Sequence, residues 1–135
     1  MISTKNKYAI SAMVDIAIYY SKDGYVRTKD ISKRCNLSLK YLEQIISLLV
    51  KSNLLKSYRG SNGGYGLIKK PWEYNALEII EAVSGDIVSI EDDIADFSKL
   101  IKGYKEVVRN YFKNIKLSDL VSEYQNSNEA DFYCI

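Results

Sequence analysis

Apolar residues near the start of the chain recur three and four positions apart. Over residues 4–21 this spacing predicts an amphipathic helix with one buried stripe. We expect Ser3 or Thr4 to cap the start of the helix, and Asp23-Gly24 to mark the turn that follows it. The stripe residues are Ala9, Ala12, Met13, Ile16, Ala17 and Tyr20.

Two more helices follow with a short break between them. We predict a short helix from about Thr28, its expected cap, to Arg34. After the break at residues 35–37, Ser38 is the expected N-cap of a longer helix that stops near Asn53. A short helix, a three-residue turn and a longer helix are the spacing of a helix-turn-helix. The predicted buried face of the longer helix is Leu42, Ile45, Ile46 and Leu49.

Two β-prone runs come directly after this motif. Residues 54–59 and 65–68 flank a glycine-rich turn at residues 60–64, which predicts a β-hairpin. Pro71 ends the hairpin, and we expect Trp72 to pack beneath it. Since a hairpin that follows a helix-turn-helix is a wing, the pattern predicts a winged helix-turn-helix.

The second half of the chain predicts a capped helix and then a heptad pattern. Asn75 and Glu78 resemble a capping box at a helix start, and the acidic residues 86–93 are predicted to form a loop. From Ile94 onward apolar residues step alternately by three and four, which is typical of helices that pair with another helix. The predicted dimerisation contacts are Phe97, Ile101, Tyr104, Val108, Tyr111 and Ile115.

Leu100, Val107 and Phe112 widen this apolar surface beyond one stripe. A helix that serves both its own domain and a second subunit explains the excess, whereas packing on its own core alone is the alternative. A last short helix is predicted over residues 117–124. The predicted fold is mainly α with a small β-wing, divided into a winged helix-turn-helix domain at residues 1–85, dimerisation helices at 86–125 and a flexible tail at 126–135.

The net charge of +2 conceals a basic first half. Residues 1–70 contain 13 Lys and Arg against 4 Asp and Glu, whereas residues 71–135 contain 6 against 13. This asymmetry suggests that the first half meets double-stranded DNA, although mutual attraction of the two halves is the alternative. Because the chain has no histidine, no nucleophile motif and no phosphate loop, we do not expect an enzyme. Two cysteines without a disulfide framework, and no apolar run of membrane-spanning length, fit the cytoplasm.

The longer helix and the wing carry the candidate DNA contacts. Residues early in a recognition helix reach base edges in the major groove, where Gln pairs with adenine and Glu accepts from cytosine. An arginine on a thin hairpin fits a narrow minor groove, and residues at helix starts suit phosphates. An ordinary solvated helix face is the alternative. The predicted contacts are Thr4, Lys5, Thr28, Ser38, Lys40, Tyr41, Glu43, Gln44, Arg59, Ser61 and Asn62.

Several strings spread over residues 2–122 carry a family resemblance. They are Ser3-Thr4-Lys5, Tyr8-Ala9, Leu37-Ser38-x-x-Tyr41-Leu42-Glu43-Gln44, Arg59-Gly60-x-x-Gly63-Gly64-Tyr65-x-Leu67, Glu81-Ala82-Val83-x-Gly85 and Leu117-x-Asp119-Leu120-Val121. These strings resemble the Rrf2 family of bacterial regulators, which includes IscR, NsrR and CymR. The resemblance implies a winged helix with a long dimerisation helix, and repression, sometimes activation, of genes for iron–sulfur, cysteine, iron or nitric-oxide stress metabolism. It also implies DNA-contacting roles for Ser38, Tyr41, Glu43, Gln44 and Arg59.

The chain departs from the family pattern where many members hold an iron–sulfur cluster. That loop, about residues 86–98, contains neither cysteine nor histidine, and such clusters are built on thiolates. We therefore expect no cofactor and no metal, as in the cluster-free branch that CymR represents. A regulatory protein partner, as in that branch, is left open by the sequence. Open alternatives are a cation at the acidic residues 91–96, a redox-responsive Cys35 or Cys134, and a winged helix that recognises protein without specific DNA binding.

Overall fold

A computed structural model of the chain describes residues 3–60, 63–85 and 97–133, with side chains as far as residue 127. Over these ranges the chain forms six α-helices, a short 3-10 turn and a two-stranded antiparallel sheet, which confirms the predicted fold class. The helices are α1 (Thr4–Asp23), α2 (Thr28–Cys35), α3 (Leu39–Lys51), α4 (Ala76–Ser84), α5 (Ser98–Lys113) and α6 (Leu117–Tyr133). The strands are β1 (Leu55–Tyr58) and β2 (Gly64–Leu67).

α1 is the central helix of the fold. It packs against α2, α3, α4, α6 and β2. The stripe predicted from the spacing is the buried one, and Ala9, Met13 and Ile16 have no exposed surface. Ser3 caps the helix, because its Oγ accepts a hydrogen bond of 3.1 Å from the backbone N–H of Asn6. Burial of this apolar stripe against several neighbours is the main stabilising contribution of α1.

A tight turn joins α2 to α3. Asn36 has a φ of 53°, a left-handed conformation that Asn tolerates better than most residues with a side chain. The carbonyl of Ser32 accepts a hydrogen bond of 3.0 Å from the N–H of Leu37, and its hydroxyl donates one of 2.6 Å to the carbonyl of Leu37. These bonds fix the start of α3 relative to α2.

The prediction that Thr28 caps α2 is wrong. Arg27 is the N-cap residue, in an extended conformation and without a side-chain cap. Val26 pairs with Tyr65 of β2, and this pairing keeps the backbone extended as far as Arg27. Thr28 is therefore the first residue of the helix.

β1 and β2 form the wing. Their register pairs Leu55 with Leu67 at the base and Tyr58 with Gly64 near the turn. Tyr74, which is buried, anchors the base of the wing to the core. Its hydroxyl donates a hydrogen bond of 2.7 Å to the carbonyl of Leu54 and accepts one of 2.9 Å from the N–H of Ile68.

The prediction that Trp72 packs beneath the wing is wrong. Its side chain is 59% exposed, and Tyr74 holds the buried position. Pro71–Glu73 form a 3-10 turn, so the aromatic residue that enters the core comes after this turn rather than within it. The predicted start of α4 is confirmed, since Asn75 Oδ1 accepts a hydrogen bond of 2.9 Å from the N–H of Glu78.

The junction between α5 and α6 is attached to the start of α4. The N–H of Ala76 donates to the carbonyl of Ile115 at 2.8 Å, and that of Leu117 donates to the carbonyl of Tyr74 at 3.1 Å. The prediction that the last helix ends near residue 124 is wrong, because α6 continues to Tyr133. No glycine or proline lies between residues 117 and 133 to end it. The predicted flexible tail at residues 126–135 stays a prediction.

Two further predictions concern an acidic loop and the lack of a membrane-spanning helix. The acidic loop predicted at residues 86–93 lies outside the described residues. Within the described ranges, none of the helices combines the length and the apolar character that a membrane span requires.

Candidate nucleic-acid interface

α3 has an apolar face in the core and a polar face in solvent. Its four predicted core residues have no exposed surface. Lys40, Glu43 and Gln44 are exposed. Ser38 caps the helix, and its Oγ accepts a hydrogen bond of 3.4 Å from the N–H of Tyr41. The positive end of the helix dipole therefore lies beside exposed polar side chains, which suits contacts with phosphates and base edges.

A tyrosine of α1 holds the start of α3. The ring of Tyr8 packs edge-on against that of Tyr41, with 4.8 Å between ring centres. The Tyr8 hydroxyl oxygen accepts a hydrogen bond of 3.4 Å from the N–H of Ser38. Tyr41 is half-buried as a result, so it contributes to packing as well as to the surface. Tyr8 belongs to the strings that carry the family resemblance, but the sequence does not indicate this role, because it depends on how α1 packs on α3.

The first turn of α1 lies on the same side of the molecule. Thr4 is exposed and Lys5 is half-exposed, and both lie about one turn before Tyr8. Because Tyr8 contacts Ser38 and Tyr41, it brings the start of α1 close to the start of α3. Thr4 and Lys5 are therefore available for contacts with the same DNA backbone as α3.

The wing supplies the remaining candidates. Arg59 is exposed and directly follows β1. Thr28, the first residue of α2, lies near the wing, since Val26 and Tyr65 exchange two backbone hydrogen bonds of 2.8 Å. The predicted contacts Ser61 and Asn62 lie outside the described residues. The described candidates thus gather at two junctions, α1 with α3 and α2 with the wing.

A buried ion pair holds α2 against α1. Arg34 donates two hydrogen bonds of 2.9 Å to the carboxylate of Asp15. The Asp15 side chain is 4% exposed and that of Arg34 is 32% exposed. Hydrogen bonding to Asp15 raises the pKa of Arg34, whose guanidinium carbon lies 3.7 Å from the ring centre of Tyr19. Arg34, predicted only as a helix end, positions the first helix of the helix-turn-helix.

The described residues offer no ligand set for a metal ion. In this part of the chain no three or more His, Cys, Asp or Glu side chains lie close enough to hold one. Cys35 is half-buried, and its thiol donates to Asp15 Oδ2 at 3.8 Å. Burial, with the nearby carboxylate of Asp15, raises the pKa of this thiol to about 11. Cys134 and the acidic residues 91–96 lie outside the described ranges.

α5 carries two apolar stripes rather than one. Of the predicted dimerisation contacts, Ile101 and Val108 are half-buried on α5, which packs against α4, and Ile115 is half-buried in the junction that follows α5. The other three belong to a second stripe that is largely exposed and that includes two residues outside the predicted set. That stripe, called here the α5 apolar stripe, comprises Phe97 (57% exposed), Leu100 (71%), Tyr104 (49%), Val107 (69%) and Tyr111 (64%).

Comparison with known proteins places this arrangement among transcriptional regulators. The sequence profile of the Rrf2 family, described as iron-dependent transcriptional regulators, matches residues 2–123. The chain is 33% identical over 147 residues to the HTH-type transcriptional regulator IscR of Pectobacterium atrosepticum, which covers 96% of this chain and 84% of the relative.

Solved structures share both the fold and the sequence similarity. CymR (YrzC), the global cysteine regulator of B. subtilis, is 32% identical with a TM-score of 0.77, over 91% of this chain and 97% of that one. IscR of T. potens is 32% identical with a TM-score of 0.79, over 94% of this chain and 90% of that one. The winged helix and the long helix α5 are therefore similar to those of solved regulators.

Proposed function

The chain belongs to the Rrf2 family of DNA-binding transcriptional regulators, and we propose that it is a homodimeric repressor that binds an inverted-repeat operator without an iron–sulfur cluster. One observation carries the proposal. The described candidates lie at two junctions within the basic half of the chain, α1 with α3 and α2 with the wing. Recognition of duplex DNA requires a basic surface with an element that fits a groove.

α3 is the recognition helix in this proposal. Glu43 and Gln44 are exposed early on α3 and are suited to read base edges in the major groove. Ser38 at the helix start and Lys40 contact phosphates. Arg59 on the wing enters the adjacent minor groove, where a narrow A·T-rich groove attracts a guanidinium.

The α5 apolar stripe forms the dimer contact in this proposal. Its five residues repeat with steps of three and four, which is the spacing that lets two helices pack side by side. They are exposed although they are large and apolar, and such a continuous patch on a single chain marks a protein contact. Two-fold pairing presents two recognition helices to the two halves of an inverted repeat.

The residues present do not fit the iron–sulfur cluster that the family resemblance implies for many members. The whole sequence contains two cysteines and no histidine, and the cysteines are 99 positions apart. Cys35 is single, half-buried and held protonated by a raised pKa, whereas a cluster ligand is a thiolate. We therefore assign control of DNA binding to something other than a cluster.

We propose regulated genes from the name of a relative, and a regulatory partner because the residues do not fit a cluster. CymR of B. subtilis is a global cysteine regulator, so genes of cysteine and sulfur metabolism are the first targets that we assign to this chain. A regulatory protein partner replaces the cluster as the source of the signal. Both assignments place the protein in the cytoplasm, where its DNA lies.

The proposal is tested by selection of duplexes from random DNA with the purified chain, repeated at a low and a high salt concentration. We expect enrichment of an inverted repeat, with affinity that falls steeply as salt rises because the protein releases counterions from phosphates. Sites that match the repeat in the source genome then identify the regulated genes.

Other outcomes contradict the proposal in distinguishable ways. Weak, sequence-independent binding that salt abolishes would contradict an operator-specific repressor. The absence of DNA binding at low salt would instead favour a winged helix that recognises protein. A single enriched half-site would retain DNA recognition and contradict the dimer.

A further inference from the structure

The wing has few stabilising contacts of its own. Each strand is four residues long, and an isolated hairpin of this size is marginally stable in water. Arg59 follows the last residue of β1, at the end of the wing away from its anchor at Tyr74. The direction in which Arg59 points therefore depends on what packs against the strands.

A row of tyrosine rings packs on one face of the wing. The rings of Tyr25 and Tyr58 are stacked, with 4.7 Å between ring centres and 12° between ring planes. The ring of Tyr20, near the end of α1, lies 5.5 Å from that of Tyr25. Stacked aromatic pairs contribute more than the area that they bury. The row thus connects α1, the turn before α2 and the wing.

Two glycines of β2 make this close approach possible. A Cβ atom on Gly66 would lie 2.7 Å from the ring of Tyr20, and one on Gly64 would lie 2.6 Å from the carbonyl oxygen of Val26. The strand therefore lies directly against the aromatic ring and against the turn backbone. Lys56 lies over the same rings, with its Nζ 5.4 Å from the ring centre of Tyr20 and 5.8 Å from that of Tyr25.

The stack lies between two DNA-contact candidates. Tyr58 immediately precedes Arg59, and Tyr25 lies three residues before Thr28 at the start of α2. We propose that Tyr25 and Tyr58 are positioning residues for sequence-specific DNA binding, whose stacked rings fix the angle of Arg59 relative to the helix-turn-helix. This inference rests on the proposed function, because it concerns how that interface is held.

If Tyr25 and Tyr58 position Arg59, disruption of their stack should weaken binding to the operator selectively. A rigid wing presents Arg59 to the minor groove at the distance set by the recognition helix in the major groove, without an entropic cost on binding. A wing released from the stack still carries its charge, so non-operator DNA is bound as before. The operator contact of Arg59, by contrast, is lost.

The test is a thermodynamic cycle between positions 25 and 59. Affinity for the operator found by selection and for an unrelated duplex is measured for the full chain and for Tyr25→Leu, Arg59→Ala and the double variant. We expect Arg59→Ala and Tyr25→Leu each to lower operator affinity about tenfold. The double variant should be no worse than Arg59→Ala alone, and affinity for the unrelated duplex should stay within about twofold for Tyr25→Leu.

Two further variants separate positioning from general stability. Tyr25→Phe keeps the stacked ring and should restore operator affinity, whereas Tyr58→Leu should reproduce the loss from the other side of the stack. Because the Tyr58 side chain is half exposed, its replacement leaves the core intact and supplies the test if Tyr25→Leu does not fold. Trp72→Ala, which removes an exposed aromatic ring beyond the wing, is the matched control and should bind normally.

Each contrary result has its own meaning. Additive losses for Tyr25→Leu and Arg59→Ala, or equal loss on both duplexes, would overturn the positioning role. An Arg59→Ala variant with unchanged operator affinity would likewise overturn it, because the stack would then have nothing to position. If the unaltered chain selects no operator, the proposed function itself fails, which is a different outcome.

Discussion

Asp15 and Arg34 are unequal partners in the ion pair that joins α1 to α2. Asp15 is almost completely buried, whereas a third of the Arg34 side chain reaches solvent. Removal of either partner leaves the other without its opposite charge, but only Asp15 would then be an unpaired charge in the core. The cost of an unpaired charge depends on its burial, so the two deletions should differ.

We predict that Arg34→Met destabilises the fold more than Asp15→Asn. The first should cost about 3 kcal/mol because it leaves a buried carboxylate unpaired, and the second about 1 kcal/mol because Arg34 can turn to water. Free energies of unfolding from urea titrations measure both, with Lys33→Met, an exposed cation on the same helix, as the control. Equal losses for the two variants would contradict this asymmetry.

The raised pKa of Cys35 predicts slow alkylation of its thiol. With a pKa of about 11, the reactive thiolate at pH 8 is scarcer than in a free cysteine by a factor on the order of 100. The alkylation rate of a Cys134→Ser variant, whose one remaining thiol is Cys35, should therefore rise through pH 10. A rate that reaches a plateau near pH 9 would contradict the raised pKa.

The same pKa shift links folding stability to pH. Because the pKa of Cys35 is raised in the folded state, the stability linked to this thiol is present below about pH 8.5 and is lost as the pH rises toward 11.

At the scale of elements, α5 shows where a sequence pattern is ambiguous. Two heptad-like registers overlap in this helix, since both Leu100 and Ile101, and both Val107 and Val108, are apolar. Spacing alone does not tell which register faces the chain's own domain. Packing against α4 decides this, because it leaves Leu100 and Val107 exposed while their neighbours are half-buried.

The exposed register makes Leu100 and Val107 the best positions to test the dimer. Leu100→Asp or Val107→Asp should raise the dimer dissociation constant about 100-fold, because a carboxylate replaces an apolar contact. Sedimentation equilibrium measures the change, and circular dichroism should show an unchanged protomer since both side chains are exposed. Lys102→Gln, which alters the net charge equally on an exposed residue outside the stripe, should leave the dimer intact. Dimers that survive both aspartate substitutions would place the interface elsewhere.

At the scale of the whole molecule, the winged helix was predictable because local signals and tertiary packing agree. Ser3, Ser38 and Asn75 all cap the helices that their positions predict, and the apolar stripes of α1 and α3 are the buried ones. What could not be predicted are contacts between residues far apart in the chain. The pairing of Val26 with Tyr65, after which Arg27 rather than Thr28 caps α2, is one of them.

In the candidate site, too, features set by local sequence were predictable and contacts between distant residues were not. The exposed residues of α3 and Arg59 were identified from helical spacing and from the position of the hairpin. The side chains that hold them in place were not identified, because Tyr8, Arg34 and Tyr25 act through contacts that only the packed fold creates. The sequence therefore indicates candidate DNA-contact residues, but not the side chains that hold them in place.

The central claim is that two copies of this chain read the two halves of one operator together. Its most direct test is the equilibrium affinity for the selected inverted repeat, compared with the same repeat carrying about five extra base pairs at its centre. That insertion turns the half-sites by about half a helical turn, so both recognition helices cannot engage them, and we predict an affinity loss of about 100-fold at constant salt. An unchanged affinity would contradict the account, because each chain would then bind DNA independently.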